Sequence, residues 1–258
     1  MAPAALTLIA LPDIGHIEPG ADLAAAILAS LARCQETLRD GDVLVVAQKV
    51  VSKAESRYVD LRDVEPSERA LELAREVDKD ARLVELVLRE SSDVVRKRRG
   101  LLIVAHRLGL VLANAGIDRS NIAQSDGSDR VLLLPEDPDV SAARLRAELG
   151  ARTGTHVGVI VSDSLGRPFR RGTVGVAIGA AGVASLIDLR GTPDLFGRKL
   201  EDTEVALADE IAAAAGIVMG QAAEALPAVL VRGVPRPANA VHRAASALAR
   251  AREEDLFR

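Results

Sequence analysis

Val157-Gly-Val-Ile-Val-Ser-Asp-Ser-Leu-Gly-Arg-Pro-Phe-Arg-Arg-Gly172 takes the chain from an apolar run straight into a carboxylate, a hydroxyl, a glycine and three arginines. The run is short enough for a buried strand, so the segment predicts a strand that delivers Asp163 and Ser164 to a polar edge. α/β enzymes place ligand sites at the carboxyl ends of such strands. Hard oxygen donors followed by guanidinium groups suit a metal-bound phosphate, with the metal facing the carboxylate and the arginines facing the phosphate oxygens. Read alone, the same segment also fits a strand-end turn with surface charges.

Outward from there, Val43–Ala47 is a second apolar run, and it empties into Gln48-Lys-Val-Val-Ser-Lys-Ala-Glu55. Runs at Leu101–Ala105 and Leu108–Leu112 lead into Ala113-Asn-Ala-Gly-Ile-Asp-Arg-Ser-Asn121, where small residues permit tight backbone and Asp118 emerges. Three strand ends therefore offer polar groups: Gln48 to Lys53, Asp118 to Asn121, and Asp163 to Arg171. Whether they converge is left open by the sequence. Further strands are predicted at 6–10, 131–134, 174–179, 184–189 and 229–231. Helices are predicted at 22–38, 66–79, 81–90, 141–148 with Ser141 as cap, 203–220 with Thr203 as cap, and 238–252. Strands and helices mix without strict βαβ alternation, which predicts an α/β or α+β fold with mixed sheets and flanking helices.

At 258 residues the chain can bury a sizeable core as one domain or two. Hydrophobic residues make up 48% but aromatics only 2%, so the interior must be built from Ala, Val, Leu and Ile in close packing. With 33 basic and 37 acidic side chains interspersed, the net charge of −4 gives no field to gather nucleic acid or an anionic membrane. The basic cluster Arg96-Lys-Arg-Arg99 reads as a solvated helix end, with a contact to a polyanionic substrate as its rival. One cysteine, Cys34, excludes an intramolecular disulfide and a thiolate metal cluster. No basic n-region precedes the first apolar stretch and no segment has membrane-spanning length, so a soluble, cytoplasmic protein is expected.

Neither a Gly-x-x-x-x-Gly-Lys-Ser/Thr loop nor a Gly-x-Gly-x-x-Gly fingerprint is present, which disfavours both common nucleotide-binding devices. His16, His106, His156 and His242 are scattered without zinc-ligand spacing. His106 alone lies close to the proposed site, and a packing or polar-edge role is favoured for it over proton transfer.

At these residues the chain resembles the coenzyme F(420)-0:L-glutamate ligases, gamma-glutamyl ligases that add the glutamate tail to a deazaflavin coenzyme. The resemblance runs from about Ala10 to Gly233. It rests on Leu11-Pro-Asp-Ile14, Val50-Val-Ser-Lys-Ala-Glu55, Ala113-Asn-Ala-Gly-Ile-Asp118 with Ser120-Asn121, and Leu134-Pro-Glu-Asp-Pro-Asp139. It continues through Ser162-Asp-Ser-Leu-Gly-Arg-Pro-Phe-Arg170, Gly197-Arg198, Ala208-Asp-Glu210, Val218-Met-Gly-Gln221 and Leu230-Val-Arg-Gly233.

The resemblance implies a single ligase domain over 1–258 in an intertwined homodimer, without a C-terminal flavin-binding domain. It implies GTP-driven amide formation between F(420)-0 and L-glutamate through an acyl phosphate, releasing GDP and phosphate. Two divalent ions, magnesium or manganese, are implied, with potassium as a further candidate. Family metal positions fall on Asp118 and Asp163 for one ion, and on Ser164 and Gln221 for the other. Family GTP contacts fall on Leu11, Pro12, Asp13, Ile14, Gln48, Lys53 and Asn121, and on the turn Met219, Gly220, Gln221, Ala222, Ala223, Glu224, Ala225 and Leu226. Asp118, Asp163, Lys53 and Arg167 are the expected catalytic residues, with Arg170 and Arg171 able to share the phosphate charge.

The chain departs from the family at Ser164, usually threonine; at Gln48, often serine or threonine; at Ser56, usually glycine; and around His106, where a Thr-His-Gly pattern is displaced. Structural readings stand beside these: Asp118 as a turn cap, Gln221 on helix-end carbonyls, Asp209 and Glu210 on a solvated or salt-bridged face, and Asp137 and Asp139 shaping a loop. A metal-dependent nucleotide phosphohydrolase and a noncatalytic GTP-binding regulator are the competing functions.

Overall fold

The structure, a computed structural model, describes residues 5–120, 122, 127–166, 168–235, 240–241 and 243–255. Asn121, Arg167 and His242 lie outside the described residues. Along the chain run β1 (Thr7–Ala10), α1 (Leu23–Arg33), β2 (Val43–Ala47), α2 (Gln48–Ala54), β3 (Tyr58–Asp60), α3 (Glu68–Val77), α4 (Ala81–Arg89), β4 (Ser91–Arg98), β5 (Leu101–His106) and β6 (Val111–Ala113). There follow β7 (Arg130–Leu132), α5 (Pro138–Thr153), β8 (Gly158–Gly166), β9 (Thr173–Ala181), β10 (Leu186–Asp188), β11 (Glu204–Val205), α6 (Leu207–Met219), β12 (Ala228–Arg232) and β13 (Ala240–Val241). The fold is mixed α/β, as the sequence predicts. It divides into two compact units, Met1–Val51 with Asp137–Leu248, and Ser52–Glu136 with Ala249–Arg258.

The first unit is built on a five-stranded sheet in the order β1-β12-β2-β8-β9. Only β2 and β8 pair in parallel, and these are the two apolar runs the sequence singles out. Val45, Ile160, Val229 and Val231 of the sheet share a core with Ala208, Ile211, Ala212 and Ala215 of α6. Small residues bring the helices close to β9. A Cβ at Gly175 would stand 2.5 Å from the Ala212 carbonyl oxygen, and one at Gly179 would stand 2.2 Å from that of Pro138. The alanine-rich, aromatic-poor composition is thus used for short backbone-to-backbone approaches.

In the second unit, α3 and α4 pack on the sheet β4-β5-β6 through Leu73, Val77, Val84, Val87, Leu102 and Val104, while β3 pairs with β7. Among the described residues no helix is long and apolar enough to cross a membrane.

Several local expectations are corrected. The basic cluster 96–99 belongs to a strand and its turn, β4 followed by Gly100, and not to a helix end. Asp137 caps α5, which begins at Pro138, so Ser141 lies inside the helix and Asp139 in its first turn instead of a loop. Glu204–Val205 forms a strand, so α6 starts at Leu207 and Thr203 is not its cap. The described residues of 238–252 form β13 and two 3-10 turns, without the predicted α-helix. Gln48–Ala54 is helical where the sequence reads as a polar strand exit.

Candidate active site

The pairing register collects distant segments at one end of the first unit's sheet. Ala10 of β1 faces Val229 of β12, Ala228 faces Val46 of β2, and Ala47 faces Ser162 of β8. Directly beyond this row lie Leu11–Ile14, the turn before Ala228, Gln48, and Asp163–Ser164. Two hydrogen bonds close the row: the Leu11 N–H donates to the Ala228 carbonyl at 2.9 Å, and the Ala47 N–H donates to the Pro227 carbonyl at 2.8 Å. Three interstrand intervals from β1 to β8 make it about 14 Å wide. This is the span of a nucleotide-sized ligand lying across the carboxyl ends of parallel strands.

β8 does not stop where the sequence suggests. It runs on to Gly166, past its last β2 partner, so Asp163 and Ser164 lie on an overhang whose one strand neighbour is β9. Ser162 is buried, Asp163 half-buried and Ser164 exposed, so the strand passes from core to solvent within three residues. Ser164 pairs with Gly175, and Gly175 packs on Ala212 and Gly216 of α6. Three residues further along α6, about 5 Å of helix rise, the helix ends at Met219 and Gln221 follows. The overhang and the Gln221 turn are therefore organised along one helix.

The two loops at this end are held in unusual backbone conformations. Asp13 has φ +55°, and its segment is clamped from α1: Ser30 Oγ donates to the Pro12 carbonyl and Arg33 Nη2 to the Asp13 carbonyl, both at 2.5 Å. In the other loop Gly220 and Ala225 have positive φ. There the Glu224 carboxylate accepts from the Ala222 N–H at 2.7 Å, and the N–H groups of Ala222, Glu224 and Gln221 hold its pKa below the usual range. Backbone amides gathered on one carboxylate make a turn suited to oxyanions.

In the second unit, Asp118 and Leu132 exchange two backbone hydrogen bonds of 2.9 Å each. The Asp118 carboxylate accepts from Ser120 N–H and Oγ–H, both at 2.7 Å, so it does cap a turn, as one reading of the sequence has it. Lys53 is half-buried in the last turn of α2, whose first residue, Gln48, is buried. Ser56, just after that helix, adopts φ +59°, a left-handed conformation that glycine takes more readily.

His106 is buried, and its Nδ1 accepts the Leu108 N–H at 3.0 Å, which assigns the neutral ring's proton to Nε2. Nε2 lies 3.5 Å from Glu90, an electrostatic contact too long for a well-made hydrogen bond. Burial pushes the Glu90 carboxyl up, but facing His106, Arg107 and Arg57 outweigh it and hold the group below its ordinary pKa. The histidine thus belongs to a packed charge cluster, the polar-edge role favoured by the sequence.

Sequence reasoning missed the clamp residues Ser30 and Arg33 and misjudged Asp209. Asp209 is half-buried and accepts the Ala177 N–H of β9 at 2.9 Å instead of facing solvent. Among the described residues, no three His, Cys, Asp or Glu side chains cluster to hold a metal unaided. The oxygen donors at the sheet end, Asp163, Ser164 and Gln221, are of the hard chemical type that magnesium and manganese take.

Comparison with known proteins identifies the family. Residues 13–233 match the family described as F420-0:Gamma-glutamyl ligase. The Coenzyme F420:L-glutamate ligase of Methanothermobacter thermautotrophicus is 44% identical over 98% of this chain and 99% of its own length. That of Methanopyrus kandleri is 47% identical over 94% and 93%, and that of Archaeoglobus fulgidus 48% over 80% and 81%. The chain belongs to the F420-0:gamma-glutamyl ligase family.

Proposed function

We propose that the chain is a GTP-dependent ligase that joins L-glutamate to the deazaflavin precursor F(420)-0. The observation that carries this reading is the gathering of Leu11–Ile14, Gln48, Asp163–Ser164 and the Gln221 turn at one sheet end, in a chain alike over its length to ligases of that name.

The chemical problem is that a carboxylate is a poor electrophile and repels the triphosphate it must attack. One carboxylate oxygen of the precursor attacks the γ-phosphorus, GDP leaves, and an acyl phosphate forms. The glutamate amine then attacks the acyl carbon, and phosphate departs with the oxygen it received. Leu11–Ile14, Gln48, Lys53, Asn121 and the turn Met219–Leu226 hold the nucleotide; the turn's amides, which already carry a carboxylate oxygen, suit a phosphate oxygen. Lys53, with Arg167, Arg170 and Arg171, neutralises phosphate charge, so positioning and electrostatics supply the rate. Asp118 with Asp163, and Ser164 with Gln221, would hold two divalent ions, which would supply neutralisation of phosphate charge. The protein would act as a single ligase domain in a cytoplasmic homodimer.

The test incubates purified protein with GTP, manganese or magnesium, L-glutamate and F(420)-0. A glutamate-dependent gain of one glutamyl unit in the precursor's mass, matched by GDP release, is expected. GTP loss without that gain would identify a phosphohydrolase, and binding without turnover a regulator.

A further inference from the structure

Among the described residues Asp209 is an acid without a counter-charge. It stands in the first turn of α6 between Ala208 and Ile211, both buried, and accepts one hydrogen bond, from Ala177 N–H. Burial raises its pKa and only that N–H lowers it; among the described residues no cation faces it. A partly desolvated, uncompensated carboxylate is costly, and its position shows what it does. Ala177 pairs with Ser162 just past a register shift at Val161/Ser162, where Ile178 of β9 is left without a partner. Such a bulge bends the strand and disturbs the ladder. One residue on, Asp163 lies past the last β2 partner and has β9 as its strand neighbour. β9 is itself the sheet's last strand, so nothing in the sheet fixes its outer edge. Helices hold it instead: α5 through Asp139 at Ala180, and, nearer the overhang, α6 by the Asp209 carboxylate at Ala177 and by backbone contact at Gly175, opposite Ser164.

We propose that Asp209 is a positioning residue that fixes the bulged β9 backbone, and through it the direction in which Asp163 and Ser164 leave the sheet. This rests on the proposed metal role of Asp163 and Ser164. Asp209 touches no substrate in this scheme; it acts through the Ala177 amide.

The test compares Asp209→Asn, which keeps an acceptor oxygen but no charge, with Asp209→Glu, which keeps the charge but displaces the oxygen by a methylene. The readouts are the manganese concentration for half-maximal ligase activity, kcat, and the melting temperature. Asp209→Asn is expected within about 2-fold of the parent in metal requirement, and Asp209→Glu and Asp209→Ala raised by about 10-fold, at the lower end of what supporting partners of metal ligands contribute. The inference is overturned if Asp209→Asn is impaired while Asp209→Glu behaves as the parent, because charge and not position would then matter. It is also overturned if Asp209→Glu and Asp209→Ala lower the melting temperature but leave the metal requirement unchanged. Asp163→Asn, run alongside, separates the two readings. Metal-dependent turnover that survives in Asp163→Asn removes the site itself, whereas its loss there with no effect in the Asp209 set removes only the positioning role.

Discussion

Two shielded acids, one in each unit, are treated in opposite ways. Glu90 in the second unit faces Arg57, Arg107 and His106, three nitrogen-bearing groups on one carboxylate. Asp209 in the first unit faces one backbone amide and, among the described residues, no cation. A third acid, Asp139, shows that the first unit can satisfy a carboxylate fully: it accepts from the N–H groups of Ala180, Ala245 and Ser246 at 2.8, 2.7 and 3.2 Å. The contrast teaches that a shielded carboxylate can be held by cations or by backbone amides alone. In the second unit three nitrogen-bearing groups converge on the Glu90 carboxylate, whereas in the first unit backbone amides hold Asp139 and Asp209.

The largest effect expected from that contrast is on turnover. Asp163→Asn should leave the fold intact and reduce metal-dependent ligation about 100-fold or more, the equivalent of several kcal/mol of charge stabilisation. Glu90→Gln should leave turnover per folded molecule near the parent's. Steady-state kinetics with circular dichroism on both variants checks this, and a Glu90→Gln protein that is folded but inactive would erase the distinction between a structural acid and a site acid.

Next comes stability. Glu90→Gln leaves Arg57 and Arg107, which are only 20% and 35% exposed, facing a neutral amide, and should cost about 3 kcal/mol in urea unfolding. Asp139→Ala orphans three N–H groups and should cost about 2–3 kcal/mol. Equal, small losses in both variants would mean that these acids are held no better than surface groups.

Much of this was legible beforehand and some was not, for reasons visible in particular residues. β2, β8 and β12 are read correctly because strands buried on both faces show as continuous Val and Leu runs. β4 was missed because Ser91-Ser-Asp-Val-Val-Arg-Lys-Arg98 is an edge strand whose two irregularities reset its alternation, so no period of two survives. α2 was missed because seven residues hold too few turns to show a helical period. At the site, the sequence shows apolar runs ending in polar residues, but not that β12, nearly two hundred residues away from β2, inserts between β1 and β2. Nonlocal pairing brings Leu11, Gln48 and the Gln221 turn into one row, and no local pattern encodes it. Asp209 was misjudged because an acid beside Glu210 in a first turn looks solvated unless the neighbouring strand is known to lack a partner.

The smallest effect, and the most direct reading of the contrast, is in the pH dependence of stability. Glu90 has its pKa lowered in the folded state, so the unfolded chain binds the proton more readily. Its contribution to stability is complete above the unfolded value of about 4.3 and is lost as pH falls through the folded one. Asp209 has its pKa raised by burial, so the folded chain binds the proton more readily. Its contribution is favourable below the unfolded value of about 3.9 and fades as pH rises through the folded one. Urea unfolding of the parent, Glu90→Gln and Asp209→Asn in steps from about pH 3.5 upward should therefore give difference curves of opposite slope. The parent's advantage over Glu90→Gln should grow with pH, and its advantage over Asp209→Asn should shrink. Parallel curves would show that the two carboxyls titrate in equivalent surroundings, and the division of labour between the units would have no electrostatic basis.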